Sequence, residues 1–156
     1  MVSLLVGIHA GLGEIGIVAF VWVFVELLNP SKKSVQRAKI AALLGTLFMF
    51  ASWIVGGYSY VNIYGITVKP IIKGGPMPWA HSIFMEVKEH VFLFLPFLSL
   101  IVFCLIKRYE KELISQKNAR KAILLLCALI ILIGALMAGM GYIISTGART
   151  ALEVGV

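Results

Sequence analysis

Apolar positions gather into four long runs, roughly residues 3–28, 39–62, 80–106 and 121–146, and polar residues fall mainly between them. Crossing the hydrocarbon core of a bilayer takes about 20 mostly apolar residues, and each run reaches that length. A segment in lipid must satisfy its own backbone hydrogen bonds, so each run is predicted to be a helix. Asn29-Pro30 stops the first, because proline cannot continue the backbone ladder. The second follows KKSVQRAK and runs out into Tyr58, Tyr60 and Tyr64. A loop marked by Pro70, Gly74, Gly75, Pro76 and Pro78 leads to the third, and KRYEKELISQKNARK separates the third from the fourth. Within the third, Pro96 predicts a kink that loosens the carbonyl near Phe92.

Small residues predict where these helices touch: Gly7, Gly11, Gly13 and Gly16 on the first, and Gly134, Ala138 and Gly141 on the fourth. No internal repeat and no soluble domain interrupts the pattern. The expected fold is an all-α integral membrane protein, a four-transmembrane-helix bundle forming a single membrane domain over residues 1–156.

Composition agrees. Hydrophobic residues make up 60% of the chain and charged residues 13%, against about half and a quarter in soluble domains. Such a chain lacks the polar surface to cover itself in water. Cys104 and Cys127 both lie in apolar runs and read as small buried hydrophobes. The N-terminal stretch MVSLLVGIHAGLGEIG has no basic leader and carries His9 and Glu14, so it reads as a retained helix, not a secretory signal.

Charge then orients the bundle. Lys32, Lys33, Arg37 and Lys39 lie between the first two helices, and Lys107, Arg108, Lys111, Lys117, Arg120 and Lys121 between the last two. Only Lys69, Lys73, Lys88 and Arg149 belong to the other side. The positive-inside rule makes the basic loops cytoplasmic, with both termini and the 63–79 loop on the outer, non-cytoplasmic side of a prokaryotic-type plasma membrane. Tyr58, Tyr60, Tyr64, Trp79 and Tyr142 are expected as an aromatic belt there. The net charge of +7 is largely explained by the loops, so no nucleic-acid partner is needed.

Candidate chemistry concentrates on that outer side. His9 and Glu14 lie in the first helix, and His81, Glu86, Lys88, Glu89 and His90 in the third. Glu26, near Lys32 and Lys33, is expected as an interfacial charge, and Glu110 and Glu112 as solvated linker residues. Glu14 sits about 7–8 Å deeper than His9 at 1.5 Å per residue, where an unpaired carboxylate is costly and has to be protonated, paired or metal-bound. In a regular helix His81 and His90 fall on opposite faces, about 13–14 Å apart along the axis. Lys88 then shares the face of His81, and Glu86 that of His90. On that reading Glu86 and His90 face His9 and Glu14.

Several functions fit these residues. A b-type haem between the first and third helices would draw axial ligands from His9 with His90 or His81, and propionate partners from Lys88 and Arg149. A non-haem iron or copper site would use His9, Glu14, Glu86, Glu89 and His90; Glu86-x-x-Glu89-His90 matches the Glu-x-x-His pattern of di-iron bundles only in part. A proton- or quinone-linked subunit and a scaffold subunit are further readings. The expected partners are the lipid bilayer, other membrane redox subunits, a quinone or a cytochrome, or a second copy. Nucleophilic catalysis is disfavoured, because Ser52, Ser82 and Thr46 lack an evident base. The favoured expectation is a small membrane electron-transfer protein, an oxidoreductase component if it is an enzyme.

Overall fold

A computed structural model describes residues 4–155; residue 3, where the first apolar run begins, lies outside them. Helix α1 spans Leu4–Leu28 and ends just before Asn29-Pro30. The reversal into α2, Lys32–Ser59, is set by Ser31 and Ser34. The Ser31 hydroxyl accepts from the Ser34 N–H at 3.1 Å, and the Ser34 hydroxyl accepts from the Ser31 N–H at 2.7 Å. Each side chain thus satisfies one of the backbone donors left open at a helix start.

α2 does not stop near residue 62. It passes into a π-helical stretch, Tyr60–Val68, and then into α3, Lys69–Gly74, making one helix of 43 residues. Pro70 does not break it, because it lies in the first turn of α3, where a missing N–H costs least. The expected 63–79 loop shrinks to the turn after Gly74. Gly75 lets that turn run directly against Ala151, where a side chain would collide.

The third span begins π-helical at Ala80–Met85 and continues as α4, Glu86–Phe92, and α5, Phe94–Tyr109. The break at Leu93 falls where Pro96 withholds a hydrogen from the Phe92 carbonyl. The last helix, α6, covers Lys117–Glu153, longer at both ends than the apolar run that announced it. At 1.5 Å per residue the second and fourth spans are about 64 and 55 Å long, well beyond the ~30 Å of a bilayer core.

The described residues form no strand, and all four long helices are apolar enough to cross a membrane. Phe20, Val23 and Leu27 of α1, Ala38 and Ala42 of α2, Val102 and Ile106 of α5, and Cys127 and Ile130 of α6 fill the interior. The outward faces stay apolar, as at Leu125, Val18, Phe94 and Ile54, which suits lipid and not water. Cys104 is exposed on such a face and not buried as expected; only Cys127 is interior.

Close packing uses part of the glycine set. A Cβ on Gly45 would lie 2.8 Å from the Phe20 ring, and one on Gly134 would lie 2.6 Å from Ile17. Gly13 and Gly16 similarly meet Ser52 and Met49, whereas Gly7 and Gly11 meet nothing within 4 Å. At the end of the bundle holding the basic loops, Arg37 makes paired 2.7 Å bonds to Glu26, and Lys39 binds Glu110 at 2.7 Å. Glu26 is thus paired with Arg37, not Lys32 or Lys33, and Glu110 is not simply a solvated linker charge.

Candidate functional site

At the opposite end, the extended parts of α2 and α6 and the start of the third span rise past the first turn of α1. Between them lies a cavity of about 890 Å³, within the size range of sites for organic cofactors. Its lining runs from Trp53 to Ile71 along the second span and from Gly141 to Leu152 along α6, with His9, Lys88, Glu89 and Phe92 between. Most of this wall is apolar or aromatic.

His9 is held by α2. Its Nδ1 lies 2.8 Å from the Ser52 carbonyl oxygen, which can only accept, so Nδ1 carries the proton. The Ser52 hydroxyl donates in turn to the His9 carbonyl at 2.8 Å. This pair of bonds fixes the tautomer and leaves the Nε2 lone pair without a hydrogen bond among the described residues. Phe92 meets the imidazole edge-on, with ring centres 5.6 Å apart. Gly56, one turn beyond Ser52, leaves space for the ring: a Cβ there would lie 2.6 Å from Nδ1. Ser52 thus does adjoin a histidine, but not as a nucleophile beside a base, since the neighbouring nitrogen is already protonated.

Two cations reach the same cavity. Lys88 lines it, and its Nζ lies 3.1 Å from where a Cβ on Gly141 would stand, so the absent side chain makes room for the ammonium. Arg149 lines it from α6. Neither forms an ion pair among the described residues. Glu89 also lines the wall, and its Oε1 is buried with no hydrogen-bond partner among the described residues.

A second polar group adjoins the wall. Tyr64, expected in a surface belt, is buried, stacks on Tyr60 and places its hydroxyl 3.0 Å from His81 Nδ1. His81 Nε2 lies 3.5 Å from Glu86 Oε1. The regular-helix expectation put His81 and Glu86 on different faces, and the structure overturns it. Residues 80–85 wind as a π-helix, whose bonds span five residues, so positions i and i+5 come onto one side.

The expected pairing of Glu86 and His90 with His9 and Glu14 is not formed either, because His90 and Glu14 both face outward. His90 is exposed, its Nδ1 bound at 2.7 Å to the Glu86 carbonyl of its own helix. Glu14 is exposed on α1. Among the described residues no three of the His, Cys, Asp and Glu side chains gather as a metal-ligand set. The expected iron or copper set of His9, Glu14, Glu86, Glu89 and His90 is therefore not assembled; only His9 and Glu89 share the cavity. Of the expected haem set, His9, Lys88 and Arg149 come together there, while His81 and His90 do not line it.

Ser52, Gly56 and Tyr64 complete the site. The signal for the first two was the i, i+4 spacing that sets Ser52 and Gly56 on one face of α2. Helical phase alone hides Tyr64, because it lies inside the π-helical stretch. Compared with protein-family models, with curated proteins and with solved structures, the chain finds no match.

Proposed function

We propose that this chain is a small integral membrane redox protein that holds a b-type haem in the cavity, for electron transfer. The basic loops are cytoplasmic on this reading, and the termini and cavity lie on the outer side. The observation that carries it is His9. A histidine serving as an axial ligand typically donates its other ring N–H to a backbone carbonyl, which orients the ring and makes the free nitrogen more basic. Ser52 supplies that carbonyl, and Nε2 is left for iron.

The rest of the wall fits the same group. Apolar and aromatic side chains suit a macrocycle. Lys88 and Arg149, cations without an anionic partner among the described residues, suit its two propionates. A haem needs only one or two protein ligands, so it does not require the three-ligand cluster that a non-haem site would. When bound, the haem supplies one-electron redox chemistry; the protein supplies ligation, charge neutralisation and exclusion of water.

The test is the absorption spectrum and pyridine haemochrome content of protein purified from membranes. A Soret band with about one haem per chain supports the proposal. Haem-free protein obtained with a full haem supply in the host would sink it.

A further inference from the structure

We infer that Tyr64, His81 and Glu86 form a proton path joining the cavity to the surface of the bundle. It does not depend on which ligand fills the cavity. Tyr64 lines the cavity, and its hydroxyl lies 3.0 Å from Nδ1 of His81. His81 is only 2% exposed, and Nε2 faces Glu86 Oε1 at 3.5 Å. Glu86 has 46% of its side chain exposed. A cavity-lining phenol, a buried imidazole and a half-exposed carboxylate are thus arranged in the order of a relay.

Imidazole suits the middle position, because it takes a proton at one nitrogen while releasing another from the second. A proton from water binds Glu86. Glu86 passes a proton to Nε2 as Nδ1 gives its own to the Tyr64 oxygen, and Tyr64 releases its hydroxyl proton to the cavity. One proton enters and one leaves, and His81 ends as the other tautomer, which a ring flip or the reverse transfer resets. The 3.5 Å link is longer than a good hydrogen bond, and a rotation of the half-exposed Glu86 side chain would close it. On the cavity wall, Glu89 is the acceptor: its carboxylate acts on both Tyr60 and Tyr64, and its Oε1 is buried with no hydrogen-bond partner among the described residues.

A purely structural histidine would account for one bond to Tyr64. It would not account for a second nitrogen turned toward a carboxylate that reaches the surface. That turn depends on the π-helical winding of Ala80–Met85, opposite the π-helical Tyr60–Val68 that carries Tyr64. π-helical turns recur at functional sites. The other charged groups acting on His81 are Lys69 and Lys73 of the second span and Glu89 of α4. α6 presents Ile144 and Ala148 to this cluster.

Flash release of caged protons on protein in nanodiscs, followed by time-resolved infrared absorption, tests the path with or without haem. The carboxylic C=O band assigned to Glu89 by its loss in Glu89→Gln is expected to rise at least tenfold more slowly in His81→Phe. Tyr64→Phe and Glu86→Gln are expected to slow it likewise, and they stand in if His81→Phe does not fold. A wild-type rate in the folded variants, or a carboxylic band untouched by Glu89→Gln, overturns the inference. The Soret band reports separately on the haem proposal.

Discussion

Replacing Gly56 with alanine adds one methyl group to α2 at the point where His9 crosses it. The new Cβ would stand 2.6 Å from Nδ1 and 2.7 Å from Cε1, whereas non-bonded heavy atoms settle near ~3.5 Å. The ring has to retreat by about 0.9 Å, or α1 has to lift from α2. Either movement breaks the 2.8 Å bond from Nδ1 to the Ser52 carbonyl. Overpacking of this kind costs about 1–3 kcal/mol, and the lost hydrogen bond adds about 1 kcal/mol. Alanine returns up to about 1 kcal/mol of helix propensity. The net expectation is about 1–3 kcal/mol of destabilisation, and about 10- to 100-fold weaker haem retention if the ring position sets affinity. Gly11→Ala on α1 is the control, since a Cβ there meets nothing within 4 Å and Gly11 does not line the cavity. It should be neutral or slightly stabilising. Thermal unfolding in detergent and haem titration of both variants provide the readout. A Gly56→Ala protein matching Gly11→Ala in stability and in haem affinity would refute the assigned geometry of His9.

Further substitutions probe other parts of the account. Gly45→Ala, whose methyl would press on Phe20 at 2.8 Å, should lower stability in a detergent unfolding assay by about 1–3 kcal/mol. Gly7→Ala, facing open space, should stay within about 0.5 kcal/mol. Lys88→Met removes a cation that has no anionic partner among the described residues. The apoprotein should therefore gain thermal stability while haem binding weakens by at least about tenfold, the loss expected for one charge-assisted contact.

The four spans were legible because lipid imposes a length, and about 20 consecutive apolar residues carry that signal plainly. Their ends were less so. Residues 63–74 contain Asn-free but mixed sequence with Pro70 and Gly74, and read as loop, yet they continue the helix because Pro70 falls in a first turn. His9 could be singled out as a histidine within an apolar helix, and Lys88 and Arg149 as the rare cations on their side. What sequence periodicity could not supply was phase. A rotation of 100° per residue assumes α-helical winding, and the hydrogen-bond register that makes Tyr60–Val68 and Ala80–Met85 π-helical leaves no mark in the hydrophobic pattern. That single assumption separated Glu86 from His81. Glu14 failed for a different reason: depth in a helix is legible from the chain, but whether a side chain faces a neighbour or the outside depends on how the helices are rotated.

Haem ligation by His9 is tested by the absorption spectra of three proteins purified in parallel: wild type, His9→Ala and His90→Ala. A Soret band is expected in the wild type, lost in His9→Ala, and retained in His90→Ala, whose ring lies outside the cavity. A wild type without the band, a band that survives His9→Ala, or a band lost in His90→Ala would contradict it.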